Sequence, residues 1–175
     1  MKNFIFTSLL FFSISTILAQ DSLTAKSKTF DFGIRHGYSH FNLRASEYRY
    51  DKINLYAGLF VETNISDKLG IRLETNYSHH SLLEVPLLLK YQISDKFEIY
   101  GGAELSYSFH SNTNSFNADK EFGGALILGL QYNINSHWFI DARYKHGFTD
   151  QFAMPFDFNH YGKSRTVSVG VGFKF

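Results

Sequence analysis

The sequence predicts an all-β chain: an eight-stranded antiparallel up-and-down transmembrane β-barrel preceded by a cleaved signal peptide. Three observations carry this. Segments of about ten residues alternate apolar and polar with period two, separated by turns or loops. One face of nearly every segment is free of charge, while the opposite face carries it. Aromatic residues on the uncharged face fall into two bands at the segment ends, with Leu, Ile, Val, Ala and Gly between them.

The bulk numbers agree. A length of 175 residues suits one domain. Beyond the N-terminus no run of 18 apolar residues occurs, so no helical span is expected. Aromatics make up 18%, and Phe and Tyr favour both strands and the water–lipid boundary. Pro86 and Pro155 are the only prolines, which permits long strands. The net charge of +1 gives no electrostatic case for nucleic acid. The absence of Cys excludes disulfides, thiolate metal sites and a Cys nucleophile.

Lys2 followed by the apolar stretch Phe4 to Leu18, with Ala19 before a cut at Gln20, reads as a secretory signal peptide over 1–19. A retained anchor helix is the alternative. Ser8, Ser13, Ser15 and Thr16 dilute the apolar run and argue against it. Residues 20–28 form a short polar lead-in, and 29–175 the barrel domain.

The segments follow in order. Phe30, Phe32, Ile34 and Tyr38 share one face, and Asp31, Gly33, Arg35 and Gly37 the other. Ile53, Leu55, Ala57, Leu59 and Val61 oppose Asn54, Tyr56, Gly58 and Glu62. Leu69, Ile71, Leu73 and Tyr77 oppose Arg72, Glu74 and Asn76. Leu83, Val85, Leu87, Leu89 and Tyr91 oppose Glu84 and Lys90. Phe97, Ile99, Ala103, Leu105, Tyr107 and Phe109 oppose Glu98, Tyr100 and Glu104. Phe122, Leu126, Leu128, Leu130 and Tyr132 oppose Gly123, Ala125, Gly129, Gln131 and Asn133. Trp138, Ile140, Ala142 and Tyr144 oppose Asp141, Arg143 and Lys145. Val167, Val169, Val171, Phe173 and Phe175 oppose Thr166, Ser168, Gly170, Gly172 and Lys174.

A soluble ligand-carrying barrel also alternates, with the apolar face inward. The aromatic bands decide between the two. Phe30, Tyr91, Phe97, Tyr132, Trp138, Phe173 and Phe175 fall at one end; Tyr38, Tyr77, Tyr107, Phe109, Phe122 and Tyr144 fall at the other. Two membrane interfaces select such girdles, whereas water does not sort aromatics by height.

The connections alternate as well. Short polar turns are expected at Ser66-Asp67-Lys68, Ser94-Asp95-Lys96 and Asn135-Ser136-His137. Longer loops are expected at Ser39 to Lys52, His110 to Glu121 and Thr149 to Ser164, with a short exception near Ser78 to Ser81. Short periplasmic turns and long outer loops place both termini in the periplasm. Pro86 lacks a ladder donor, so a local irregularity is expected there.

The inward charges nearly balance, so they should pair and fill an eight-stranded lumen, leaving no open diffusion pore. Acid/base catalysis by the inward carboxylates is the less economical reading. His40, His79, His80, His110 and His160 gather near the outer rim. Adjacent His79 and His80 point to opposite faces of a strand and chelate poorly, so no metal site is expected.

The run Leu83-Glu84-Val85-Pro86-Leu87-Leu88-Leu89-Lys90-Tyr91 resembles the fourth-strand signature of the PorT-like outer-membrane β-barrel family. So do Gly123 to Leu130, Arg143-Tyr144 before a Gly, and the terminal Val169-Gly170-Val171-Gly172-Phe173-Lys174-Phe175. The aromatic C-terminus is similar to a barrel-assembly signal. The resemblance covers nearly all of the chain after the signal segment and implies the outer membrane. It implies no particular process. Arg143-Tyr144-Lys145-His146 is also similar to the His region of eight-stranded lipid A deacylases. Gly147-Phe148-Thr149 follows, however, and the nucleophilic Ser is missing.

The expected role is therefore non-enzymatic, exercised through the outer loops or within an envelope assembly. Candidate binding residues are Tyr48, Arg49 and Tyr50 in one loop and Phe152, Phe156, Phe158 and Tyr161 in another, since aromatic and Arg side chains are common anchors. Packing at the headgroup boundary explains the same residues without a ligand. Expected partners are outer-membrane lipid with envelope proteins or an extracellular ligand; no catalytic residues and no cofactor are expected. A lipid-modifying enzyme and a narrow pore are the alternatives.

Overall fold

The computed structural model describes residues 30–45, 48–78, 82–109, 122–149, 152–154 and 157–175. For 44, 45, 48–50, 152–154 and 157–162 it describes the backbone alone. The strands are β1 (Phe30–Ala45), β2 (Tyr48–Asn64), β3 (Leu69–Ser78), β4 (Leu82–Gln92), β5 (Phe97–Ser108), β6 (Phe122–Asn133), β7 (Trp138–Gly147), β8 (Phe152–Met154) and β9 (Asp157–Lys174). β1 to β7 and then β9 pair in sequence order, and β9 pairs back onto β1. All neighbours are antiparallel, so the eight strands close with no edge left in the apolar belt. β8 pairs only with β9, outside that ring.

Register fixes the tilt. Stepping across the ladders from Phe32 leads through Val61, Leu73, Leu87, Ala103, Leu126, His146 and Arg165, and returns to β1 at Asn42. Residue 32 thus meets residue 42, a stagger of ten residues per circuit. For eight strands this tilts the strands by roughly 40° and leaves an interior only wide enough for side chains.

Which face is inside is unambiguous. Leu59, Leu87 and Leu128 are 64%, 56% and 68% exposed, while Glu74 and Arg143 are 1% and 7% exposed. The uncharged face looks outward and the ionic face is enclosed. Outward aromatics touch within each girdle. At the end bearing the short turns and the C-terminus, Phe97 packs on Tyr132 and Trp138 on Phe173, with ring centroids 5.0 and 4.9 Å apart. At the opposite, loop end, Tyr107 lies 5.1 Å from both Phe109 and Phe122.

The three short turns are built alike. Ile65, Ile93 and Ile134 donate their N–H to the carbonyls of Leu69, Phe97 and Trp138. A side chain then caps each turn. Ser66 Oγ accepts from Leu69 N, Ser94 Oγ from Phe97 N, and Asn135 Oδ1 from Trp138 N, at 3.1, 3.2 and 2.7 Å. Short Ser and Asn side chains close turns in this way.

Pro86 is buried and faces the lumen. The β3–β4 ladder breaks beside it: pairing runs to Leu73↔Leu87 and resumes at Asn76↔Glu84. The register is the same on both sides, so the irregularity is a gap in pairing and no bulge. Pairing of Pro86 with Glu104 on β5 is intact.

The loop end departs from expectation. Much of the segment 39–52, expected as a loop, is strand: β1 runs to Ala45 and β2 begins at Tyr48, paired rung by rung. Within 149–164, β8 and the start of β9 form a further hairpin. β9 pairs with β1 as far as Lys163↔Arg44. The strands β2, β1, β9 and β8 therefore continue as a four-stranded lip past the described ends of the other strands. Past the membrane belt the alternation reverses its sense, with Phe41 and buried Leu43 facing inward and His40 and Asn42 outward, so a search for an apolar outer face passes over it.

Candidate functional site

Twelve inward charged side chains of the described residues join in ion pairs within the lumen: Arg35, Arg72, Lys90, Arg143, Lys145 and Lys174 with Glu62, Glu74, Glu84, Glu98, Glu104 and Asp141. They form three tiers.

Toward the turn end, Glu62 receives Arg72, Lys90 and Lys174 at 2.5, 2.8 and 2.8 Å, and Lys90 also reaches Glu98 at 2.6 Å. In the middle, Arg35 and Arg143 each bind both Glu74 and Asp141, at 2.8–3.0 Å. Two phenols complete this tier. Tyr100 donates to Asp141 at 2.5 Å, and Tyr56 accepts from Arg35 at 2.8 Å. Toward the loop end, Lys145 bridges Glu84 and Glu104, the latter at 2.9 Å.

Apolar side chains caulk the tiers. Phe60 and Phe139 meet edge to face at 5.7 Å, and the Arg72 guanidinium lies over both rings at 4.5 and 5.0 Å. Leu88, Tyr100 and Ile127 form a second buried cluster. Glycines make the room: a Cβ on Gly172 would overlap the Phe139 ring, and one on Gly129 the Tyr100 ring. Phe60, Leu88, Ile127 and Phe139 were not foreseen as lumen residues. Their strand parity was the signal that could have found them: Phe60, Leu88 and Phe139 each sit two residues from an inward charge, and Ile127 sits four from inward Gln131.

Above the middle tier lies a small recess of about 50 Å³, lined among others by Arg35, Asn54, Asn76, Glu84, Arg143 and Lys145. Asn54 and Asn76 are buried, and their Oδ1 atoms have no hydrogen-bond partner among the described residues. Buried acceptors of this kind accept a hydrogen bond from water or from a ligand.

The predicted binding residues lie at the same end. Tyr48, Arg49 and Tyr50 open β2, opposite Ala45, Arg44 and Leu43. Phe152 sits on β8 opposite Gly162, and Tyr161 on β9 opposite Ala153. Phe158 also lies on β9. Phe156 falls outside the described residues, as do His79, His80 and His110. The lip thus brings together two segments a hundred residues apart in sequence. His40 lies on the outward face with Nε2 3.6 Å from Asp51 Oδ1. His146 is outward as well, its ring stacked on Tyr144 at 6.5 Å. Among the described residues no three His, Asp or Glu are grouped to hold a metal ion.

Comparison with known proteins agrees with this architecture. The model of the outer membrane protein beta-barrel domain matches residues 4–175. Ail, the attachment invasion locus protein of Yersinia pestis, solved with the heparin analogue sucrose octasulfate, is 18% identical with a TM-score of 0.54; the match covers 83% of this chain and 99% of that one. Neisserial surface protein A is 15% identical with a TM-score of 0.55, covering 82% and 97%. Ail in a phospholipid nanodisc is 17% identical with a TM-score of 0.53, covering 84% and 100%. None of the curated proteins matches. Such low identities speak to fold alone. The family match spans nearly the whole sequence, and with the lipid-facing belt around an ionic interior it makes this chain an outer-membrane protein of the outer membrane protein beta-barrel domain family.

Proposed function

We propose that this protein is a non-enzymatic outer-membrane barrel that presents the β2–β1–β9–β8 lip to an extracellular ligand or an envelope partner. The observation carrying this is the convergence on one stretch of rim of Tyr48, Arg49 and Tyr50 with Phe152, Phe158 and Tyr161. A rigid sheet displays such anchors with less entropy lost on binding than a loose loop. The orientation fits a signal peptide over 1–19, termini in the periplasm and the lip outside the cell. Membership in the PorT-like branch rests on the strand signatures of β4, β6 and β9.

The interior supports the same reading. Paired charges and rings occupy the lumen through all three tiers, which suits a scaffold better than a channel. His146 points away from the lumen carboxylates, and Gly147-Phe148-Thr149 rather than a Ser follows it closely. The heparin analogue bound by Ail suggests a sulfated or phosphorylated glycan as one ligand class to try.

The test compares the intact chain with one lacking residues 152–161 and with the triple change Tyr48→Ala, Arg49→Ala, Tyr50→Ala. Tagged protein is purified from mildly solubilised outer membranes and its companions identified. Host-surface or glycan adhesion is scored in parallel. Loss of capture or adhesion with the barrel still folded supports the proposal; undiminished capture and adhesion by both variants reject it.

A further inference from the structure

Between the aromatic girdles the outward positions of the eight closed strands carry Ile, Leu, Val, Ala and Gly, with two exceptions among the described residues: His36 on β1 and Thr75 on β3. Both are exposed on the lipid-facing wall. Neither side chain has a hydrogen-bond or ion-pair partner among the described residues. They line one shallow groove, with Ala57, Gly58 and Leu59 of β2 between them.

Register gives their height. Successive outward residues stand about 7 Å apart along a strand, or about 5 Å along the membrane normal at a tilt of roughly 40°. His36 therefore lies about 10 Å above the outward ring of Phe32 and about 5 Å below that of Tyr38, inside the hydrocarbon layer. It shares a rung with Ala57 and Tyr77. From β1 to β3 that rung climbs about 6 Å toward the loop end, and Thr75 lies about 5 Å below Tyr77 on its strand. His36 and Thr75 thus stand at one height to within about 1 Å, two strands apart.

A polar group left unpaired in hydrocarbon is costly. Lipid headgroups lie outside the hydrocarbon layer and do not reach this height. An uncharged imidazole offers one N–H donor and one acceptor nitrogen, and a Thr hydroxyl both donates and accepts. The two groups are therefore complementary, yet on one barrel β2 keeps them apart. A second barrel removes that obstacle. Copies inserted the same way round pair symmetrically only about an axis along the membrane normal. A twofold there keeps every residue at its own height and sets β1 of one wall against β3 of the other. His36 of each copy then faces Thr75 of its mate. The small Ala57 and Gly58 between them let the two walls approach, as small residues do at helix interfaces in membranes.

We propose that the β1–β2–β3 wall is a self-association surface, covered by a second copy of this chain with two reciprocal His36–Thr75 hydrogen bonds across the interface. A different protein would have to present a matching donor and acceptor at the same height; the second copy does so by symmetry. The pairing rests on the membrane wall alone and stands whatever the lip binds. Since β1 and β2 also carry the lip, it sets two lips side by side at one level.

The chain has no Cys, so K96C in an exposed turn gives a single labelling position. Donor- and acceptor-labelled full-length barrels are folded into phosphatidylcholine vesicles, and energy transfer is followed as lipid dilutes the protein. The native wall should show dimers. H36V and T75V should each weaken dimerisation roughly tenfold, the loss of two hydrogen bonds in a membrane. Mixing H36V with T75V should restore roughly threefold in mixed pairs, because one His36–Thr75 bond survives between those two chains. A57L should block approach, whereas A142L on β7 should leave association intact. Altered migration of the unheated protein on gels verifies folding of each variant. Monomers at every dilution, or dimers unaffected by H36V, T75V and A57L, overturn the proposal. So does failure of the mixture to recover, which would mean that the two side chains do not meet. Native mass spectrometry of the released monomer supplies the last outcome: a bound lipid or foreign protein lost in H36V would give the groove another occupant and overturn self-association.

Discussion

Glu74 accepts hydrogen bonds from Arg35, Arg143 and Asn76, donors on β1, β7 and β3. Its neutral replacement would leave Asp141 facing two buried guanidinium groups alone. Removing one partner from a buried ionic cluster costs about 3–5 kcal/mol, because the remaining charge is already stripped of water. Glu74→Gln should therefore lower the unfolding free energy of the refolded barrel by that amount, whereas Lys68→Gln in an exposed turn should leave it within about 0.5 kcal/mol. Gly172 makes a separate test. Its missing Cβ leaves space for the Phe139 ring, which lies beneath Arg72. Gly172→Ala should cost about 1–3 kcal/mol by overpacking, and pairing it with Phe139→Leu should recover part of the loss. Unfolding in urea from detergent micelles measures both.

At the level of the strand, β4 combines a legible pattern with a local fault. Its outward Leu83, Val85, Leu87, Leu89 and Tyr91 were readable from alternation, and so was trouble at Pro86. The form of the trouble was not. A missing N–H could be accommodated by a bulge or by an unpaired position, and the choice depends on register in β3. Since β5 still pairs with Pro86 while β3 does not, the absent donor points at β3. Pro86→Ala restores that donor. Its amide should become strongly protected from hydrogen exchange, with the Leu73↔Leu87 and Asn76↔Glu84 flanks unchanged. Rapid exchange at position 86 would show that the gap is held open by Glu74 and its ion pairs instead. The lip is the converse case. Over 40–43 the sense of the alternation reverses, with Phe41 and buried Leu43 inward and His40 and Asn42 outward, so a rule that looks for an apolar outer face passes over it; pairing with β2 and β9 makes it strand.

For the molecule as a whole, the lipid belt and the filled lumen make opposite demands on the same substitution. Lys at Leu87 or Leu128, both outward near mid-belt, should cost roughly 2–4 kcal/mol in folding into lipid vesicles. A loss near zero would mean that this face does not meet hydrocarbon. Inside, three tiers of paired charge span the axis. Purified protein in planar bilayers should show no steady conductance. Opening the axis should require breaking a tier, as in Glu74→Ala combined with Arg143→Ala, whose currents would report a passage that side chains normally fill.

The alternation of the strands, the sign of each face and the height of each girdle were all fixed by local sequence, because a period of two and the cost of charge in lipid act residue by residue. These determined the barrel, its strand number and the inward ionic set. Only closure decided the rest. The ten-residue stagger, built up over eight ladders, chooses which inward charges share a tier. It sets Arg35, Glu74, Asp141 and Arg143 within 3 Å contacts although they come from β1, β3 and β7. The same stagger aligns Arg49, Arg44 and Lys163 on one rung and draws 48–50 and 152–162 to one lip. No pattern along a single segment contains this information, because it resides in the hydrogen-bond register between strands distant in sequence.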